Sequence, residues 1–237
     1  MSAVSSALTT VAGWLVEPAP GAIEPAAALA IADPGYPARP VVAVAGLRGR
    51  VGVTTLARAI GGLLATREPA GACVVTCAGG SGSIPLGLPA ATRLGRRLAP
   101  VVGTRTRACG RLCLVEEAEP AALCAASRAL APVVLDVSDP AQAAAAASLA
   151  DRVVLVAGPD AEPSLAAVVA ESLAAVGPEP AIVVNRARGG VGKWEEERHL
   201  LVPESRLAAQ FAAAGREPRG PFGEAVAGLT GLWVDGG

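Results

Sequence analysis

The sequence predicts an α/β domain: a mostly parallel, doubly wound sheet with helices on both faces. Three observations predict it. Four continuous apolar runs, VVAVA (41–45), VVLDV (133–137), RVVLVA (152–157) and AIVVN (181–185), have the valine-rich composition of strands buried on both faces. Stretches with helical spacing separate the runs, the alternation that builds a parallel sheet. The first run ends in a glycine-rich turn that leads straight into a helix, as in a crossover unit.

The elements follow in order from Pro40. Val41–Ala45 is the first strand, ended by Gly46, and Thr54–Ala65 is a helix. Ala72–Cys77 is the second strand. Residues 78–107 are rich in Gly, Pro and Arg and read as loop with one short helix around Ala90–Leu98. Leu112–Val115 is a short strand before a helix over Pro120–Leu130. Val133–Val137 and Arg152–Ala157 are strands, with helices at Ala141–Leu149 and Ser164–Val176. Ala181–Asn185 is a strand, followed by a polar loop and a short apolar run, Leu200–Val202. Helices over Glu204–Ala214 and Phe222–Leu232 close the domain, which spans 40–237. Ahead of it, residues 1–39 are Ala/Pro-rich and read as an appendage or linker. Val4, Leu8, Val11 and Leu15 recur there at the spacing of a short amphipathic helix, and prolines punctuate the rest.

Composition excludes several classes. A chain of 237 residues with 52% hydrophobic and 17% charged residues is not a disordered one. Aromatics are only 3%, so Val, Leu, Ile and Ala must build the core. No apolar run approaches the roughly 18 residues of a membrane-spanning helix. The N-terminus has no basic residue before its apolar part, which argues against a secretory signal. Five cysteines, an odd number, predict reduced thiols and a cytoplasmic protein. Cys73/Cys77 and Cys109/Cys113 sit in apolar, strand-like runs, each pair on one face, and read as small buried residues rather than zinc ligands. The net charge of −1 conceals an asymmetry: residues 40–111 carry +9 and residues 112–237 carry −8. Arg93, Arg96, Arg97, Arg105, Arg107 and Arg111 concentrate the positive charge. They predict either a face for an anionic partner, DNA or an acidic protein, or a solvated surface.

The turn after the first strand reads Gly46-Leu-Arg48-Gly49-Arg50-Val-Gly52-Val53-Thr54-Thr55. Glycines permit close backbone approach, and the N–H groups of such a turn and of the helix start point at an anion. A hydroxyl at the first helical turn suits Mg²⁺. The stretch Arg48–Thr55 resembles the deviant Walker A motif of the ParA/MinD group of P-loop ATPases, Lys-Gly-Gly-x-Gly-Lys-Thr-Thr. Asp136 stands where that family's Walker B-like strand ends, Asn185-Arg186 where its Asn lies near the base, and Val202-Pro203 in its late apolar-proline segment. The resemblance runs from about Pro40 to Leu232. It implies ATP and Mg²⁺ as cofactors. Gly46, Arg48, Gly49, Arg50, Gly52, Thr54, Thr55 and Asn185 would bind the nucleotide, and Thr54 and Asp136 the metal. It also implies a homodimer.

The departures from the family are specific. Val53 stands for the Walker lysine, Arg48 for the deviant first lysine, and Arg50 for a glycine. Thr76–Gly80 holds none of the family's carboxylates after the second strand. These losses fall on catalytic parts, so the expected function is a positioning or regulatory factor that binds ATP weakly or without turnover. Pilus assembly (TadZ/CpaE-like), partitioning and division are the settings the resemblance suggests, with a protein partner from such a system. The alternatives are a nucleotide-free interaction scaffold on the same fold, and an active ATPase in which Arg48 or Arg50 replaces the lysine. A second glycine-rich stretch, Arg188–Trp194, holds the only lysine, Lys193, and reads as a flexible loop after the fourth apolar run. His199, the one histidine, reads as a partly exposed structural residue.

Overall fold

The computed structural model describes residues 39–77, 88–89, 92–102, 106–116, 120–188, 192–194 and 199–231. The expected N-terminal helix around Val4–Leu15, the loop over 78–87 and Arg105 lie outside the described residues.

The strands are β1 (Val41–Gly46), β2 (Ala72–Thr76), β3 (Leu88–Pro89), β4 (Thr106–Cys109), β5 (Leu112–Glu116), β6 (Val133–Val137), β7 (Arg152–Ala157), β8 (Pro180–Ala187) and β9 (Leu200–Pro203). They form one sheet in the order β3-β4-β5-β2-β6-β1-β7-β8-β9. Every pairing from β5 to β9 is parallel, and at one edge β4 pairs antiparallel with both β5 and β3. The helices are α1 (Val53–Arg67), α2 (Arg93–Val102), α3 (Pro120–Arg128), α4 (Ala143–Leu149), α5 (Pro163–Ala174), α6 (Arg206–Ala213) and α7 (Gly220–Gly231).

Alternation along each strand divides the core in two. Val41, Ala43, Val133 and Leu135 face one layer with Leu94 of α2, Leu123 of α3 and Leu173 of α5. Val42, Val44 and Val134 face the other with Leu56 and Ile60 of α1, Ala208 of α6 and Leu229 of α7. Both faces are covered, which is why the central strands carry no polar alternation.

The expected loop over 78–107 departs from the structure beyond its short helix. Thr106–Cys109 pairs antiparallel with β5 through a two-residue turn at Gly110-Arg111, where Gly110 has φ +57°. The same turn corrects the reading of Cys109 and Cys113 as one strand face. Cys109 joins the α1 layer and Cys113 the opposite one, beside Cys73 in register on β2. Burial pushes the thiols of Cys77 and Cys124 up to about 12 and about 11, so both stay protonated at neutral pH.

Candidate functional site

β1 and β6 lie side by side at the centre of the sheet, and α1 starts where β1 ends. The turn between them, 47–52, therefore sits at the carboxyl ends of the central strands, where open α/β sheets bind ligands. Gly52, the residue before α1, has φ +95°, and a Cβ there would lie 2.3 Å from Asn185 Nδ2. Glycine is required on both counts. Asn185 is 5% exposed and donates from Nδ2 to Val51 O at 2.8 Å, which ties the turn to β8. Arg50 adopts φ +62°, a left-handed conformation that costs a side-chain-bearing residue about 1 kcal/mol. The turn at Gly49-Arg50 directs the Val51 N–H back toward Arg48 O, and the N–H groups of 49, 50 and 52–55 donate to no acceptor among the described residues. A run of free donors at a helix start is an anion nest.

Thr54 and Asp136 meet because both face the α1 layer. Asp136, two residues after Val134 on β6, shares its face, and Thr54 opens the helix above it. Thr54 Oγ1 donates to Asp136 Oδ1 at 3.1 Å, and Ser138 Oγ donates to the same oxygen at 3.1 Å. Asp136 is fully buried, and its Oδ2 has no hydrogen-bond partner among the described residues. Burial raises its pKa, partly offset by the bonds from Thr54 and Ser138 and by the Arg58 charge. Two hydroxyls and a carboxylate with an unpartnered oxygen are the donor set of a hard, oxygen-ligated cation, so Thr54, Asp136 and Ser138 fit Mg²⁺. Ser138 escaped the sequence reading, although its place two residues after the strand's aspartate was the available signal.

The charged groups at this rim are arranged in detail. Arg48 pairs with Asp160 in the loop after β7, and this pair holds the Asp160 carboxyl below its usual range. Lys193 Nζ bonds Asp160 O at 3.0 Å and Glu162 Oε1 at 2.7 Å. The expected flexible loop is thus anchored at 192–194, because Trp194 is 1% exposed in the core and stacks edge-on against His199. Val53 is buried in the α1 layer, and its Cγ2 would lie 2.8 Å from a Cβ at Gly46. Gly49 is open to solvent. A cavity of about 180 Å³ opens between Gly52 and Thr55 on one side and Asn185, Arg186, Ser205 and Arg206 on the other.

The arginine-rich segment does not form one surface. Arg93, Arg96 and Arg97 project from the exposed side of α2. Arg107, two residues before Cys109 on β4, shares its face toward the α1 layer, the side of the sheet opposite α2. Arg111 lies in the hairpin turn and donates to Glu68 O at 2.9 Å.

Solved structures share this architecture. The MinC:MinD cell division protein complex of Aquifex aeolicus matches with a TM-score of 0.59 at 17% identity, over 84% of this chain and 96% of that one. The ATP complex of Cyanothece McdA matches at 0.56 and 14% identity, over 84% and 98%. A ParA family ATPase from Chlorobium tepidum matches at 0.52 and 14% identity, over 81% and 97%. The fold is that of the ParA/MinD ATPases. No protein-family model and no curated relative matches the chain. The turn 47–52 links β1 to α1, and Asp136 lies on β6 beside β1. No helix among the described residues is long and apolar enough to cross a membrane.

Proposed function

We propose that this chain is a nucleotide-binding member of the ParA/MinD group that binds ATP weakly or without turnover and acts as a positioning or regulatory factor. Its setting would be pilus assembly, partitioning or division, in the cytoplasm. The single observation that carries the reading is the turn at 49–55, whose N–H groups, Val51 apart, have no acceptor among the described residues at the start of α1. Those donors would hold the phosphates. Thr54, Asp136 and Ser138 would hold Mg²⁺, which shields phosphate charge when bound. Asn185 fixes the shape of the turn through Val51 O.

Weak binding without turnover follows from Val53. A lysine there would contribute charge-assisted bonds of about 1.5–3 kcal/mol to the phosphates, and valine contributes none. Arg48 is engaged with Asp160 in its own chain. In a homodimer that guanidinium would exchange Asp160 for the partner's phosphates.

Calorimetric titration with Mg-ATP and Mg-ADP tests the reading, with Gly52→Asp and Thr55→Glu as controls. A glutamate in the first turn of α1 favours the helix while repelling phosphate, so Thr55→Glu keeps the fold where Gly52→Asp strains it. Micromolar to sub-millimolar binding by the wild type, lost in both variants, is the expected result. No binding at millimolar nucleotide leaves the interaction scaffold as the function. Sustained phosphate release abolished by Arg48→Ala would instead make the chain an active ATPase.

A further inference from the structure

Two non-glycine residues hold a left-handed backbone among the described residues, and one of them, Arg50, lies in the turn that opens α1. Its φ is +62°. Glycine adopts that conformation without steric cost, and the chain places glycines at 46, 49 and 52 of the same stretch but an arginine here. Strained residues of this kind gather at ligand clamps, where the side chain is needed. The Arg50 side chain is exposed, and its guanidinium has no partner among the described residues. Arg48, two residues away, is paired with Asp160, and Lys193 is paired with Glu162. Those two carboxylates are therefore already answered, and Asp136 is enclosed beneath Thr54. A Cβ at Gly49 would meet nothing within 4 Å, so the tip of the turn is open to an approaching ligand. An anion seated on the N–H groups of 52–55 lies within reach of an arginine carried by the same tight turn.

We propose that Arg50 is the residue that brings positive charge to the nucleotide's phosphates, its guanidinium lying across the anion held by the N–H groups of 52–55. The charge enters from the turn instead of from α1, where Val53 has none to give. A guanidinium fork meets two phosphate oxygens with paired, charge-assisted bonds. The chain thereby keeps backbone strain at one residue and gains a phosphate contact from its side chain. The proposal rests on the nucleotide reading of the turn and names the side chain on which its affinity depends.

The experiment is a calorimetric titration of the full chain with Mg-ATP and with inorganic tripolyphosphate, which has neither base nor ribose. The wild type is set beside Arg50→Gly and Arg50→Lys. Glycine keeps the left-handed backbone, so Arg50→Gly melts no lower than the wild type and any loss of affinity is not a loss of fold. It weakens both ligands about tenfold, the effect of losing a charged pair of bonds. Arg50→Lys keeps the charge without the fork and binds both ligands more tightly than Arg50→Gly. Equal or tighter binding of Mg-ATP by Arg50→Gly overturns the proposal and leaves the nucleotide reading standing. A loss confined to Mg-ATP overturns the assignment to the phosphates. A lysine variant no better than the glycine one overturns the role of charge. No binding of either ligand by the wild type at millimolar concentration overturns both the proposal and the reading beneath it.

Discussion

The two ends of the sheet handle polar groups in opposite ways. At the amino ends of the strands every named group has a partner. Arg39 bridges Glu68 at 3.2 Å and Ala129 O at 2.8 Å. Asp151 pairs with Arg128 and accepts the Val41 N–H at 2.8 Å. At the carboxyl ends most N–H groups of 49–55 and the buried Asp136 Oδ2 have no partner among the described residues, and Arg50 and Arg186 hold left-handed backbone conformations. A fold of this kind pins its chain at one rim and leaves donors, acceptors and strain at the other. The unsatisfied rim is where a ligand gains most, because it satisfies groups that folding left exposed or orphaned.

The largest expected effect tests the pinned rim. Asp151→Ala removes the acceptor of Val41 N–H and the partner of Arg128 together, and lowers stability by about 1–3 kcal/mol in a denaturant melt. Nucleotide affinity of the folded variant stays the same; a change in affinity would break the division between the two ends. Next, Val53→Lys restores a cation over the first turn of α1. Affinity for Mg-ATP by calorimetry rises about tenfold, while a buried valine is lost from the α1 layer and stability falls. Unchanged affinity would place the phosphates elsewhere.

The smallest effect concerns Asp136 and has the opposite sign in stability. Burial raises its pKa. The unfolded carboxylate ionises near pH 3.9, roughly the free value, while the folded one stays protonated to higher pH, so stability falls as pH rises through that window. Asp136→Asn removes this penalty. The variant melts a few degrees above the wild type at pH 7, and the gap closes towards pH 4 in parallel melts. A wild type that melts higher at pH 7 would show that the bonds from Thr54 and Ser138 outweigh burial.

The buried parallel centre was legible in the sequence because β1, β6, β7 and β8 are continuous apolar runs, and nothing else gives that pattern between helices. The antiparallel edge was not. β4 alternates arginine with small residues and reads as loop, and the turn at Gly110-Arg111 is hidden inside an apolar run. At the candidate site, the spacing of Gly46–Thr55, Asp136 and Asn185 pointed to residues that the structure places within or just beyond strand ends at one rim of the sheet. What they touch was not legible. The bonds Asn185–Val51, Arg48–Asp160 and Lys193–Glu162 join residues far apart in the chain, and only the parallel order of β1, β7 and β8 brings them to one rim. The six arginines show the converse: adjacency in sequence suggested one face, and strand alternation divided the described members between two.

Trp194 has a practical consequence. Of the three tryptophans, it alone lies among the described residues, with its indole enclosed by the core and the adjacent Lys193 gripping the loop that carries Asp160. A ligand that draws Arg48 away from Asp160 would change the surroundings of that grip. With Trp14 and Trp233 replaced by Phe, the short-wavelength emission of this enclosed indole, followed during titration, would report events at the 49–55 turn without any attached dye.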